Sequence, residues 1–91
     1  MSFTWDPAKE SANRRKHRVA FTEAVTTFAD PLSVTIPDPD HSADERRYLL
    51  IGLSSRRRLL VVAHVERDDQ IRIISSRPAT RRERHDYEEE A

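Results

Sequence analysis

The architecture follows from residues 59–76, which read LLVVAHVERDDQIRIISS. Residues 59–65 are apolar and rich in β-branched side chains, so they predict a strand that is buried on both faces. Residues 67–70 are polar and predict a tight turn, and residues 71–76 predict a second strand. The two strands are therefore expected to form an antiparallel hairpin.

The hairpin has a defined register if residues 68–69 form a two-residue loop, because the numbers of facing residues then sum to 137. His64 would face Ile73, and Ala63 would face Ile74. Since side chains alternate along a strand, the two predicted faces hold Leu60, Val62, His64, Ile71, Ile73, Ser75 and Arg77 on one side, and Leu59, Val61, Ala63, Arg72, Ile74 and Ser76 on the other. The two arginines of the second strand are therefore predicted to lie on opposite faces.

Helices and further strands are predicted around this hairpin. Asp6 and Pro7 are typical of a helix start, because aspartate caps the helix and proline at the first position loses no hydrogen bond. Thr80 and Glu83 form a capping box. The predicted elements are an edge strand at 3–5, helices at 7–17 and 21–29, strands at 33–36, 47–51, 59–65 and 71–76, a loop at 37–44, and a helix at 80–89. This order predicts one α+β domain, residues 1–91, in which two N-terminal helices and a C-terminal helix pack on a twisted, mainly antiparallel sheet.

Composition excludes several classes of protein. The chain has 91 residues, enough for one small domain with a thin core. It has no cysteine, which excludes disulfide frameworks, cysteine-ligated zinc and thiol nucleophiles. No apolar run approaches the roughly 18 residues of a membrane span, and the N-terminus has no signal-peptide pattern. We therefore expect a cytoplasmic protein with no membrane contact.

The charge distribution is uneven although the net charge is zero. Residues 46–84 carry eleven arginines against four acidic side chains, whereas residues 31–45 and 85–91 are acidic. Fourteen of the sixteen basic residues are arginine, whose planar guanidinium binds phosphate in a bidentate manner. This pattern favours nucleic-acid binding, although a GC-rich genome would also favour arginine codons.

Polar side chains recur on the first predicted helix. Lys9, Asn13 and His17 are spaced four residues apart and share one face, with Lys16 on its flank. The group could bind a substrate, or it could be a solvated face with cations near the helix C-terminus. His64 lies in the most apolar strand, where it could take part in catalysis or be a satisfied group of the core.

Arginines mark the second hairpin strand and the turn before the first. Arg72 lies between isoleucines, and a guanidinium in a central strand needs a carboxylate, a phosphate or solvent. An ion pair with Glu66 or Glu83 is one alternative. Arg77 precedes the capped C-terminal helix, whose N-terminus attracts anions. Residues 56–58 are three arginines that form either a solvated turn or a basic contact.

Neither a metal site nor a glycine-rich phosphate loop is predicted. The four histidines do not have the spacing of metal ligands. Gly52 is the only glycine in the sequence. We therefore expect no metal and no cofactor.

The chain also resembles a known family through two motifs. Residues 5–17 read W-D-P-x-K-x-x-x-N-x-x-K-H, and residues 71–87 read I-R-I-I-S-x-R-x-A-T-x-x-E-R-x-x-Y. Together they resemble the BrnT toxins of bacterial type II toxin–antitoxin systems, over about residues 3–88. Two positions depart from the family pattern, since Arg18 stands where glycine is usual and Ser76 where alanine is common.

The resemblance implies a RelE-like fold and an endoribonuclease that inhibits translation. Such enzymes use the ribose 2′-hydroxyl as the nucleophile and need no metal. The resemblance also implies a BrnA-type antitoxin with a ribbon-helix-helix domain, in a complex expected to be a heterotetramer. That complex would bind promoter DNA through the antitoxin. An acidic antitoxin segment is expected to cover the basic surface of residues 46–84.

RNA cleavage of this kind needs a base, an acid and cations that stabilise the charge on phosphorus. Arg72 and Arg77 are candidates for charge stabilisation. Glu83, His17 or His64 could transfer protons, although Glu83 also belongs to the capping box, and Tyr87 could stack on a base or donate a proton. The candidate catalytic residues are thus Arg72, Arg77, Glu83, His17 and Tyr87, and the candidate RNA-binding residues are Lys9, Lys16, Arg57, Arg81 and Arg84.

Two other classes of function stay open at this point. The chain could be a non-catalytic protein-binding module that acts as a co-repressor with its antitoxin. It could also be a DNA-binding regulator in its own right, but it lacks helix-turn-helix spacing and its basic residues lie mostly on strands and turns. Growth arrest on expression would distinguish a ribonuclease from a binding module.

Overall fold

A hairpin of two nine-residue strands forms the centre of the sheet. The computed structural model describes residues 1–40 and 46–90. Its elements are β1 Ser2–Thr4, α1 Pro7–His17, α2 Phe21–Thr26, a 3-10 turn Thr27–Ala29, β2 Val34–Pro37, β3 Arg47–Leu53, β4 Leu59–Arg67, β5 Gln70–Pro78 and α3 Arg81–Glu90. The α+β class is confirmed, and both hairpin strands extend beyond their predicted ends. Residues 41–44 of the predicted loop lie outside the described residues. No described helix is long and apolar enough to cross a membrane.

Helix α1 begins and ends where its local signals predict. The Asp6 carboxylate accepts the N–H of Ala8 at 2.8 Å, and Pro7 occupies the first helical position. The helix ends at Arg18, which has a left-handed backbone (φ 59°) and donates its N–H to the carbonyl oxygen of Arg14. Glycine adopts this conformation more easily than arginine does, so the cap carries some strain.

The sheet has five strands in the order β1-β5-β4-β3-β2. Strands β2 to β5 are antiparallel neighbours, as predicted. The edge strand β1 departs from the expected meander because it runs parallel to β5, with Phe3 facing Ile71. A parallel neighbour needs a long crossover, which α1 and α2 provide. β1 reaches only residues 70–72, so within the described residues the edge of β5 at 73–78 has no strand beside it.

The hairpin contains a β-bulge that the predicted register lacks. His64 faces Ile73, as predicted. Ala63, however, faces Ser75 instead of the predicted Ile74, which is the extra residue. Such an insertion leaves one residue unpaired and shifts every later pair by one position.

The predicted faces are therefore wrong beyond the bulge. Ser76 faces Val62 and is fully buried, and Arg77 faces Val61. The three residues 75–77 lie on the faces opposite to those predicted, because the period of a strand is two residues and one inserted residue reverses the alternation.

The core lies on both sides of the hairpin. The face covered by α1 and α2, here called the helical face, buries Val19, Phe21, Ala24, Leu60, Val62, Ile71 and Ile73. The opposite face, here called the outer face, buries Ile51, Leu59 and Val61, against which Ala79 and Tyr87 pack. Because both faces are covered, residues 59–65 are buried, as the apolar run predicts.

Candidate functional site

The bulge brings the two arginines of β5 to the same face of the sheet. Arg72 faces Val65, and Arg77 faces Val61. These two valines are four residues apart on β4, so they share the outer face. Arg72 and Arg77 are five residues apart and would lie on opposite faces of a regular strand. One inserted residue therefore gathers two of the predicted charge-stabilising groups on one surface.

Asn13 of α1 holds the bulged segment in place. Its side-chain nitrogen donates to the carbonyl oxygens of Val19 and Ser76, each at 2.9 Å, and its side-chain oxygen accepts the Ser76 N–H at 3.0 Å. The amide thus pairs with Ser76 as a peptide group of a neighbouring strand would. Asn13 is only 7% exposed, so water competes little for these bonds.

A groove of about 220 Å³ lies between α1 and the unpaired edge of β5. It is lined by Lys9, Ala12, Asn13, Lys16, His17, Ile74 and Ser75. The polar face of α1 therefore faces the strand edge, and the groove combines two ammonium groups with an imidazole. The bulge residues form the other wall, so the groove and the outer-face arginines flank the same segment of β5.

Arg72 keeps its guanidinium exposed on the outer face. Within the described residues it forms no ion pair with Glu66 or Glu83, the two partners considered from the sequence. Glu66 lies 3.3 Å from the His64 ring, and Glu83 is bound elsewhere. The guanidinium is thus available to an anion from solution.

Arg77 and Glu83 form a bidentate ion pair. The two guanidinium nitrogens lie 2.7 and 2.8 Å from the two carboxylate oxygens. Glu83 also accepts the Thr80 N–H at 2.9 Å, and the Thr80 hydroxyl accepts the Glu83 N–H at 3.2 Å, which confirms the capping box. The hydrogen bonds from Arg77 outweigh burial and lower the pKa of Glu83 to about 2. Glu83 is therefore an anion at neutral pH and a weak base.

Tyr87 joins α3 to Asp30, the residue that follows the 3-10 turn. Its hydroxyl donates to the Asp30 carboxylate at 2.7 Å, which raises the pKa of Tyr87 to about 12. Asp30 also accepts the N–H groups of Leu32 and Leu53. Burial would raise the pKa of Asp30, but these hydrogen bonds lower it. The Tyr87 proton is thus held in the hydrogen bond to Asp30, and this geometry does not favour its transfer to a substrate.

His64 lies in the core, away from the outer-face arginines. Its ring is fully buried and lies edge-on to Phe28 at 4.9 Å and stacked on Tyr48 at 5.9 Å between centroids. Its two nitrogens lie 3.2 Å from the Val62 carbonyl oxygen and 3.3 Å from Glu66. This placement favours a structural role. Among the described residues, histidine, aspartate and glutamate side chains form no group of three that could hold a metal ion.

Several basic residues meet at one end of the sheet, where β5 ends and β4 begins. This basic end comprises residues 14, 18, 54–58, 77 and 81–84. Its parts are joined by a hydrogen bond from Arg58 to the Arg18 carbonyl oxygen at 3.1 Å and by one from the Ala79 N–H to Leu59 at 2.9 Å. The acidic turn that begins after Arg67 lies at the opposite end. Within the described residues, the central hairpin is therefore basic at one end and acidic at the other, although the net charge of the chain is zero.

The remaining predicted RNA-binding residues lie at this end. Arg57 is exposed at the tip of the β3–β4 turn with a left-handed backbone (φ 64°), and Arg81 and Arg84 are exposed in the first turn of α3. They lie apart from the groove that holds Lys9 and Lys16. The structure thus distributes the predicted residues over the groove, the outer face and the basic end.

Sequence reasoning missed a buried carboxylate at the basic end. Glu23 of α2 is 7% exposed and accepts hydrogen bonds from the Arg58 guanidinium and, at 2.7 Å, from the Ser54 hydroxyl. The bonds from Arg58 outweigh burial and lower the pKa of Glu23. A glutamate beside the apolar stripe of a short helix is the signal that could have identified it.

Residues 5–83 match the family described as the ribonuclease toxin, BrnT, of type II toxin–antitoxin systems. The chain belongs to the BrnT family. Among solved structures it is similar to the BrnT ribonuclease toxin of Brucella abortus, determined at 1.1 Å resolution, with a TM-score of 0.70 and 20% sequence identity over 89% of this chain and 99% of that chain. A comparison with curated protein sequences finds no significant match.

The BrnT match covers most of the site described above. It includes α1, the bulge and both outer-face arginines, and it ends at Glu83 in the first turn of α3. Tyr87, which contacts Asp30, lies beyond the C-terminal end of the matched residues. The resemblance found in the sequence motifs is thus confirmed, and the family is one of ribonuclease toxins with an antitoxin partner.

Proposed function

We propose that this BrnT-family chain is an endoribonuclease that cleaves single-stranded RNA at the unpaired edge of β5 and thereby stops translation. The observation that carries the proposal is that the groove lies on one side of the β5 bulge and Arg72 lies on the other. Membership of a family of ribonuclease toxins supports RNA as the substrate. We also propose that the fold is related to that of the RelE-like ribonucleases.

The proposed reaction needs neither a metal nor a cofactor. The ribose 2′-hydroxyl attacks the adjacent phosphorus, the bond to the 5′-oxygen breaks, and the products are a 2′,3′-cyclic phosphate and a 5′-hydroxyl. A base takes the proton of the 2′-hydroxyl, and an acid returns a proton to the leaving 5′-oxygen. Excess negative charge on the phosphoryl oxygens needs nearby cations.

The groove supplies these groups. His17 is our preferred group for proton transfer, because imidazole is the side chain that normally gains and loses a proton near neutral pH. Lys9 and Lys16, on the same wall, would stabilise the phosphoryl charge. Arg72 would reach the same phosphate from the outer face.

The residues at the base of α3 receive more limited roles. The Arg77 guanidinium is bound to the Glu83 carboxylate. Arg77 would therefore act on the scissile phosphate mainly through its nearby positive charge and not through direct hydrogen bonds. Glu83 is too weak a base for proton transfer at neutral pH, since its pKa is about 2. Tyr87 would position α3, and Arg57, Arg81 and Arg84 would contact the RNA backbone at the basic end.

Cleavage of a labelled single-stranded RNA by purified protein in EDTA tests the proposal. The wild type should give cyclic-phosphate ends, and RNA with a 2′-deoxyribose at the cleaved position should stay intact. His17→Gln should slow cleavage by about 100-fold or more, since acid–base catalysis usually contributes about 10²- to 10⁴-fold. Arg15→Gln is the matched control, because Arg15 lies on the same turn and bonds only to Ser11 in the described structure. Cleavage that requires added Mg²⁺, or intact RNA with folded protein, would refute the proposal.

One observation favours a second candidate, a non-catalytic protein-binding module. The polar groups of Arg77, Glu83 and Tyr87 are all engaged inside the molecule. Induced expression in a bacterial host separates the two candidates. A ribonuclease arrests growth and shortens mRNA, whereas a binding module leaves both unchanged.

The partner we propose is a BrnA-type ribbon-helix-helix antitoxin. Its acidic segment would cover the basic surface of residues 46–84, and a dimeric antitoxin with two toxins would form a heterotetramer. Promoter DNA would bind only through the antitoxin. Co-expression with the adjacent gene product, followed by size-exclusion chromatography and a gel shift, tests this arrangement. A toxin that elutes alone, or that binds promoter DNA alone, would contradict it.

A further inference from the structure

We propose that a basin at the basic end, separate from the groove, binds a second phosphate of the RNA strand through Arg14, Arg18 and Arg56. The inference rests on the proposed ribonuclease function. The basin has a volume of about 490 Å³ and lies between the end of α1, the start of α2 and the β3–β4 turn. It is lined by Arg14, Arg18, Ala20, Thr22, Glu23, Ser55 and Arg56.

The basin carries an excess of positive charge. Arg14 has a loose pair with Glu10, at 3.4 Å, and its side chain stays 59% exposed. Within the described residues the side chains of Arg18 and Arg56 form neither a hydrogen bond nor an ion pair. The carboxylate in the basin, Glu23, is neutralised by the Arg58 guanidinium. Four arginines thus face two carboxylates, which leaves a net charge of two.

The donors of the basin suit a phosphate. The three arginines come from two separate parts of the chain, residues 14–18 and the β3–β4 turn, and each guanidinium presents a planar set of N–H donors. The exposed residues Thr22 and Ser55 add hydroxyl groups. A phosphodiester is an acceptor of hydrogen bonds with a negative charge, so it complements this donor-rich lining.

The backbone at Arg18 supports a role for its side chain. This residue ends α1 with φ 59°, a conformation that glycine adopts without the steric cost that a Cβ brings. An arginine at this position carries that cost and places a guanidinium at the basin. Since the cap hydrogen bond uses only the backbone, the side chain is not needed for the turn.

The basin and the groove lie on two sides of the same helix end. Lys16 and His17 line the groove, whereas Arg14 and Arg18 line the basin. A helix with its side chains is roughly 10 Å across. A strand that leaves the groove would therefore cross the last turn of α1 and place a different phosphate in the basin.

Binding of two RNA lengths tests the proposal. The probes are a tetranucleotide and a 16-nucleotide strand, both with 2′-O-methyl riboses so that neither is cleaved. The double variant Arg14→Gln, Arg56→Gln should bind the longer strand at least tenfold more weakly and the tetranucleotide as the wild type does. The slope of log affinity against log salt should decrease by about 0.7 for each phosphate that the variant no longer neutralises. Arg15→Gln, which removes an exposed arginine outside the basin, should bind both strands within twofold of the wild type.

Arg18→Gly separates binding from folding. Glycine relieves the left-handed cap, so the melting temperature should stay the same or rise while affinity for the 16-nucleotide strand falls. Equal affinities for the variants and the control protein would overturn the basin assignment and leave the ribonuclease proposal intact. An equal loss for the tetranucleotide would also overturn it, because the arginines would then serve the groove. A wild type that neither binds nor cleaves RNA would refute both.

Discussion

Replacing Asn13 with alanine tests whether one side chain holds the bulge on which the candidate site depends. The substitution removes three hydrogen bonds of 2.9 to 3.0 Å, two of them to Ser76 and one to Val19. Each hydrogen bond removed costs about 1 kcal/mol, and a buried group left without a partner costs more. We therefore expect the free energy of unfolding to fall by about 3–5 kcal/mol.

Urea denaturation followed by tryptophan fluorescence measures this change. Trp5 is the only tryptophan and packs edge-on to Phe21, with 6.0 Å between ring centroids, so its emission reports the core next to α1. A loss of about 3 kcal/mol corresponds to a melting temperature about 12 °C lower or more for a chain of this size. Ser11→Ala, on the same helix, is the control and should change stability by less than about 0.5 kcal/mol.

A second variant examines the donor side of the amide. Asn13→Asp keeps an oxygen for the Ser76 N–H but places another carboxylate oxygen against two carbonyl oxygens, so it should destabilise at least as much as alanine at neutral pH. The reasoning is refuted if Asn13→Ala stays within about 1 kcal/mol of the wild type with an unchanged urea dependence. It is also refuted if the folded fraction of that variant cleaves RNA at the wild-type rate, because the candidate site would then not depend on the contact between Asn13 and the bulged segment.

Three further predictions concern stability. Gly52→Ala should lower the free energy of unfolding by about 1–3 kcal/mol in urea denaturation, because the new Cβ would lie 3.0 Å from the Thr27 carbonyl oxygen. In the folded wild type, the hydrogen bond to Asp30 keeps the Tyr87 hydroxyl protonated up to about pH 12, whereas the unfolded chain releases this proton near pH 10. Stability should therefore fall between pH 10 and about pH 12 in thermal melts, and Tyr87→Phe should abolish this loss. Glu83→Gln should reduce the loss of stability on the acid side as pH falls from 4.5 to about 2, because the native contacts of Glu83 favour the carboxylate and stabilise the fold only while it is ionised. The part of the loss that comes from Glu23 and Asp30, whose pKa values are also lowered, should remain.

Local sequence signals predicted most of the elements. The Asp6 cap of α1 and the capping box of Thr80 and Glu83 formed as expected, because the partners in each case are two or three residues apart. The apolar run at 59–65 identified β4 because both faces of that strand are covered. The hairpin turn was also correct, since Arg67 faces Gln70.

Contacts between distant residues were not predictable in this way. The bulged segment is bound through Asn13 and Ser76, which are 63 residues apart, and α3 is bound to the rest of the fold through Tyr87 and Asp30, which are 57 apart. Nothing in the run of residues 71–76 marks which residue is the extra one, because any of them could be unpaired. The parallel pairing of β1 with β5 was not predictable for the same reason. It depends on the path that α1 and α2 give the chain after β1.

The candidate site shows that residue types were easier to predict than their pairing. Arginine for phosphate charge and glutamate for proton transfer are chemically reasonable choices for Arg77 and Glu83. The capping box, however, fixes Glu83 at the third position of α3, and Arg77 ends the strand that leads into this helix. The two charges therefore meet, and the pair lowers the pKa of Glu83 to about 2. A cap glutamate that follows a strand-end arginine is thus better interpreted as an ion-pair partner than as a base, which leaves His17 as the proton-transfer candidate in the groove.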